Sequence, residues 1–262
     1  MILPHDEAGR GPALILLHAG VADRTMWAEH LEPLAEAGFR AIAPDLPGFG
    51  EAPVPPGEQA AWLDVLRTMD ELSIERAALV GSSFGGAVAL RVALVAPERV
   101  SALALLSAPP PGLEPSPQLA AAWEAEEGGL ERGDKEAAVQ AAVDAWTMPG
   151  APPDLRERVA SMQRRAFEQQ GNAEPADAAD PLEDDPSALA KINVPALVAA
   201  GEHDLVDFRQ GAEAMARTLP RARHAVIAGA GHLAPLETPV VFRELILGFL
   251  SRGETAGNSA RG

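Results

Sequence analysis

Short apolar runs alternate with amphipathic ones along this chain, and that alternation restricts the fold more than any other feature. ALILLH (13–18), RAIAP (40–44), AALVG (77–81), SALALLS (101–107), PALVAAG (195–201) and RHAVIAG (223–229) are short, apolar and free of internal breakers. Continuous rather than alternating hydrophobicity fits strands buried on both faces. Between them, TMWAEHLEPLAEAG, EQAAWLDVLRTMDELSI, GGAVALRVALVAP, DFRQGAEAMARTLP and PVVFRELILGFL carry apolar residues at helical spacing. Strand and helix in turn predict an α/β fold, a mostly parallel central sheet with helices on both faces. At 262 residues, 47% of them hydrophobic, the chain can bury the core of one such domain.

The alternation fails between residues 110 and 190. APPPGLEPSP leads out of the sheet, and three helical stretches follow near 117–128, 134–147 and 153–170. An acidic, poorly periodic return, GNAEPADAADPLEDDPSALAKI, closes the segment. We read 110–190 as a helical insertion over the sheet, 1–109 and 191–251 as the core, and 252–262 as a flexible tail. The insertion holds seventeen Asp and Glu against six Lys and Arg, and the whole chain carries a formal charge of −17. That balance disfavours nucleic acid and anionic membranes as partners, since both demand excess basic side chains. The charged insertion is read as a solvated face. With no cysteine, thiolate catalysis, disulfides and cysteine-ligated metals are excluded. MILPHDEAGRG lacks the layout of a signal peptide, and no run is long enough to span a bilayer, so a cytoplasmic location is expected.

The chemistry concentrates in LVGSSFGGAV (79–88). Of its two serines only Ser83 satisfies Gly-x-Ser-x-Gly, with Gly81 and Gly85; Ser82 has Val80 and Phe84 at those offsets. The motif needs glycine because the flanking positions approach each other in a sharp strand-to-helix turn that exposes the serine. An apolar strand before it and a helix after it supply the required setting. The serine would then sit at a helix N-terminus, where free N–H groups favour a developing oxyanion.

A serine hydroxyl needs a base. Among His5, His18, His30, His203, His224 and His232, the last follows the final strand in a glycine-rich loop, GAGHLAPLETP. ALVAAGEHDLVD places Asp204 just past the penultimate strand, with Asp207 as a competitor that could instead cap the next helix. A metal site from His203, Asp204 and His232 is the other arrangement these residues allow. The chain order Ser83, Asp204, His232 is that of a Ser-Asp-His triad.

With these motifs the chain resembles an α/β-hydrolase-fold serine hydrolase over nearly its whole length. LLHAGVADRTMW resembles the family's His-Gly loop with Ala19 in place of glycine, PDLPGFG its next turn, and GHLAPLETP its catalytic histidine loop. The resemblance implies a mostly parallel sheet with a cap after the sixth family strand, where 110–190 falls. It implies an oxyanion hole from the N–H groups of Gly20 and Phe84, and a structural role for His18. Only seventeen residues precede His18, so the family's first strand is expected to be missing or vestigial, leaving about seven strands.

The implied reaction is hydrolysis of a small-molecule carboxylic ester through an acyl-enzyme, with water as second substrate and no cofactor. Enol-lactones and carbon–carbon bonds are the alternatives on the same triad. Related epoxide hydrolases and dehalogenases use an Asp nucleophile, whereas this motif carries Ser83. A non-catalytic small-molecule-binding protein is the alternative outside enzymology. Trp146, Met148 and Met162 are the candidate substrate-binding residues in the insertion, beside Trp123 and Phe167. Eleven aromatic residues in the whole chain point to short aliphatic acyl groups rather than aryl ones. Oligomeric state has no sequence signature here.

Overall fold

The computed structural model describes residues 1–171 and 176–258, with side chains described for 1–171 and 178–251. Seven strands form the main sheet: β1 (His5–Ala8), β2 (Ala13–Leu17), β3 (Arg40–Pro44), β5 (Ala77–Ser82), β6 (Val100–Leu106), β8 (Ala196–Gly201) and β9 (Ala222–Ile227). Two further two-residue strands, β4 (Glu58–Gln59) and β7 (Ala176–Asp177), pair only with each other. The order in the main sheet is β1-β3-β2-β5-β6-β8-β9. Only β1 runs antiparallel, pairing His5 with Pro44 and Ala8 with Ala41. The short N-terminal segment therefore supplies one antiparallel edge strand, and the sheet has seven strands.

The continuous apolar runs have a direct structural reason. Successive strand side chains point to opposite faces. Leu14, Leu16, Ala78, Val80, Ala104, Leu106, Leu197 and Ala199 enter one core, while their alternates Ile15, Leu17, Leu79, Leu103, Leu105, Val198 and Ala200 enter the other. Helices α1 (Ala28–Glu36), α2 (Ala61–Glu71), α3 (Phe84–Val95), α7 (Val206–Thr218) and α9 (Pro239–Asn258) cover the two faces, with the one-turn α8 (Ala234–Glu237) just before α9. The edge strand β9 departs from this pattern: Arg223, His224 and Val226 are exposed, because it has a neighbour on one side only.

The insertion contains α4 (Pro117–Glu131), α5 (Lys135–Trp146) and α6 (Pro153–Gln170). Side-chain ties bind α6 to the core. Arg165 donates to Asp23 Oδ2 through both Nε (2.8 Å) and Nη2 (2.6 Å), and Gln169 donates to Gly50 O at 3.1 Å. Helix α4 is held at its start: Asp207 accepts from Ser116 N at 2.7 Å and from Ser116 Oγ at 2.8 Å, while Ser116 Oγ caps Leu119 N. Asp207 thus orders the N-cap of an insertion helix instead of capping its own helix.

Residues 252–258, expected in the tail, continue α9, as no proline interrupts them; residues 259–262 lie outside the described residues. Among the described residues no helix is long and apolar enough to cross a membrane.

Candidate active site

Gly20, Ser83, Phe84, Asp204 and His232 come together at the C-terminal ends of β2, β5, β8 and β9. Ser83 leaves β5 with φ 50° and ψ −115°, a strained conformation for a residue with a side chain, and opens α3. A Cβ on Gly81 would stand 2.3 Å from Gly85 O, and one on Gly85 would stand 2.2 Å from Leu17 O, so the turn closes only with glycine at both positions. Ser83 N donates to Leu106 O at 2.8 Å, which locks the turn to β6. The adjacent Ser82 is fully buried with an unpartnered hydroxyl, while Ser83 faces a cavity.

His232 reaches the same cavity from the loop after β9. Its Nδ1 lies 2.9 Å from Asp204 Oδ1, which also accepts from Leu205 N at 2.8 Å. A carboxylate can only accept, so this contact assigns the proton to Nδ1 and leaves the Nε2 lone pair free. Ser83 and His232 are not hydrogen-bonded to each other, and both face the cavity; such contacts often tighten only with substrate bound. The imidazole packs against two rings that also touch each other, with centroids 4.6 Å from Trp146 and 4.4 Å from Phe208.

The loop carrying His232 is drawn against the loop carrying Asp204. Glu202 N donates to Ile227 O (3.0 Å), His203 N to Ala230 O (2.8 Å), and Gly229 N to Glu202 Oε2 (3.0 Å). Glu237 accepts from Gly231 N at 2.7 Å and from Met148 N at 2.9 Å, tying this loop to the end of α5; burial raises its carboxyl pKa. From beneath, His30 Nε2 donates to Pro235 O at 2.9 Å, and burial lowers the His30 pKa to about 4. That histidine is therefore a neutral strut.

Gly20 and Phe84 both line the cavity, and a Cβ on Gly20 would stand 3.5 Å from Phe84 Cβ. Among the described residues neither N–H donates to another group. His18 holds the Gly20 loop from below. Its Nε2 accepts from Leu46 N at 2.9 Å, which leaves Nδ1 to donate to Ala19 O at 2.9 Å, and burial lowers its pKa. Among the described residues no group of three or more His, Cys, Asp or Glu is placed to hold a metal ion.

The cavity has a volume of about 630 Å³ and is roofed by α4 and α5. Of the residues put forward for substrate binding, Phe167 is buried in the core, while the cavity takes Trp146 and Trp123. Met148 lies outside it, facing a smaller cleft beside Pro152, and Met162 is buried in the hydrophobic core on the inner side of α6. Helical periodicity marks an apolar face without saying whether that face meets the core or the site. The sequence reading missed Phe208, whose only signal is its place four residues after Asp204, and Glu126, which read as a solvated acid. Glu126 is half-buried at the cavity wall, where burial raises its carboxyl pKa, and it accepts from Gln163 Nε2 at 3.1 Å.

Comparison with known proteins follows the same lines. The chain is 38% identical over 112 residues to a 2-hydroxy-6-oxo-6-phenylhexa-2,4-dienoate hydrolase of Comamonas testosteroni, a match covering 40% of this chain and 39% of that relative. The matched stretch is thus well under half the length of that curated relative. Among solved structures, a thermophilic esterase from Thermogutta terrifontis aligns with a TM-score of 0.76 and 29% identity, covering 96% of this chain and 93% of that one. The enol-lactonase from Burkholderia xenovorans aligns with a TM-score of 0.80 and 25% identity, covering 95% and 96%. Residues 12–239 match the family model for the alpha/beta hydrolase fold, and the chain belongs to that family.

Proposed function

We propose that this chain is a serine hydrolase that cleaves carboxylic esters or lactones of small molecules through an acyl-enzyme. The observation that carries the reading is the Nδ1 contact of His232 with Asp204 at 2.9 Å, beside a serine held at φ 50° over the same cavity. Ser83 Oγ attacks the carbonyl carbon as His232 Nε2 takes its proton. Asp204 holds the imidazole tautomer and stabilises the imidazolium. The N–H groups of Gly20 and Phe84 receive the tetrahedral oxyanion, each contributing about 3 kcal/mol to lowering the barrier. His232 then gives its proton to the departing alcohol, and the same base activates water against the acyl-enzyme. In this reading residues 110–190 form a cap that keeps bulk water from the cavity.

Carbon–carbon bond hydrolysis is the second reading, favoured by the stretch 38% identical to the dienoate hydrolase. A dienoate carries a carboxylate, and among the described residues no Lys or Arg lines the cavity to receive one, which is why ester cleavage ranks first. Stopped-flow hydrolysis of p-nitrophenyl butanoate separates the readings. An esterase releases p-nitrophenol with turnover that Ser83→Ala abolishes, and a stoichiometric burst precedes it where deacylation is the slow step. Absence of turnover from wild-type protein, with the dienoate cleaved instead, would favour the second reading. Absence of both would leave a binding protein.

A further inference from the structure

We propose that the cavity over Ser83 is a recognition site for a cationic group, so that the substrate is an ester bearing an alkylammonium. This deepens the ester reading and rests on it for the chemistry, though not for the binding.

Two features of the walls carry the inference. The first is aromatic. The chain has eleven aromatic residues, and four of them, Phe84, Trp123, Trp146 and Phe208, line this one cavity. The scarcity that pointed to an aliphatic acyl pocket is thus a property of the chain as a whole and not of the site. Three of these rings are fixed by packing: Phe84 lies 5.8 Å from Phe49, and Trp146 lies 5.9 Å from Phe208 between ring centroids. Trp123 on α4 is 43% exposed, so its indole is open to an incoming group. Ring faces carry negative potential and attract ammonium groups, most strongly where water is excluded.

The second feature is charge. Glu126 and Glu127 reach the cavity from the same helix as Trp123. Glu126 accepts from the neutral amide of Gln163, and no ion pair engages Glu126 or Glu127 among the described residues. A third lining acid, Glu183, is already compensated by Arg91 at 3.1 Å. A half-buried carboxylate without a counter-charge is costly, and a cation brought in by the ligand removes that cost. Among the described residues no Lys or Arg lines the cavity to compete for the acid or to attract an anion. The net charge of −17 adds long-range attraction for a cation.

Choline and 3,3-dimethylbutan-1-ol test this, since they share a shape and differ by one charge. Binding is read by quenching of tryptophan fluorescence, which requires no turnover, and by competitive inhibition of p-nitrophenyl butanoate hydrolysis. We expect choline to bind roughly tenfold tighter than the neutral alcohol. Glu126→Gln, nearly isosteric, should reduce that ratio to within about threefold. Equal or tighter binding of the neutral alcohol to wild-type protein would overturn the proposal, as would an unchanged ratio in both Glu126→Gln and the doubly substituted Glu126→Gln, Glu127→Gln protein. A preference for choline in a protein without esterase activity would keep the cation site and reject the ester reading. Esterase activity without the preference would do the reverse.

Discussion

Gly201→Ala should disable the site without touching any group that does chemistry. Gly201 ends β8, three residues before Asp204, and a Cβ there would stand 2.0 Å from Gly231 O and 2.5 Å from Ala230 O. Both obstacles are backbone atoms of the loop that presents His232, so no rotamer change relieves them. A methyl group needs at least about 3 Å from a carbonyl oxygen, so the loop must retreat by about 1 Å. The 2.9 Å contact of His232 with Asp204 then opens beyond hydrogen-bond range. Overpacking of this kind costs about 1–3 kcal/mol of stability, and a displacement of about 1 Å in catalytic geometry costs about 100-fold in rate. Urea denaturation gives the first number and p-nitrophenyl ester kinetics the second. The loss should fall on kcat with KM little changed, because Gly201 does not line the cavity. Gly248→Ala in α9 is the control: nothing lies within 4 Å of its Cβ, and it should raise stability by up to about 1 kcal/mol. A folded Gly201→Ala protein within a few-fold of wild-type kcat would refute the argument that this close approach sets the geometry of the site.

Asp204→Asn should fold normally, since the amide oxygen can still accept from Leu205 N. It should nevertheless lose at least about 100-fold in kcat as the imidazolium loses its counter-charge; a loss under tenfold would argue against the role given to Asp204. Acidification should destabilise the protein through His30. With a folded-state pKa of about 4 against an ordinary value of 6.5, its contribution is fully present above pH 6.5 and is lost as the pH falls toward 4. About 3 kcal/mol is lost in that window, with His18 acting in the same direction. His30→Asn should flatten the slope of unfolding free energy against pH, and an unchanged slope would contradict the buried neutral state. Asp207→Ala removes both bonds to Ser116 and should loosen the start of α4 at a cost of about 1–2 kcal/mol. Ester kinetics should then show a raised KM with kcat within about threefold, whereas a collapse of kcat would mean that Asp207 takes part in the chemistry.

The sheet was legible because its strands are buried on both sides and so spell continuous apolar runs. The three insertion helices were legible from spacing and from the prolines around them. Ser83, Asp204 and His232 stood out as motif residues, each in the turn or loop that follows a strand, which is where a parallel sheet collects loops. Less could be read where two environments share one pattern. Met162 and Trp146 both occupy apolar positions on helices, yet one faces the core and the other the imidazole. Phe84 was read for its N–H, and its ring also lines the cavity. Asp207 shows the same limit for hydrogen bonds: its position fits a cap for its own helix, and its partner, Ser116, is ninety-one residues away. Glu126 looked like its solvated neighbours because sequence shows composition along a helix but not which turn closes over a cavity.

The central claim is that Ser83 is an activated nucleophile, and intact-mass detection of a fluorophosphonate adduct tests it without knowledge of the substrate. A single adduct on wild-type protein, absent from Ser83→Ala and slowed in His232→Ala, is the predicted result. No adduct on folded wild-type protein, or an adduct that survives Ser83→Ala, would contradict it.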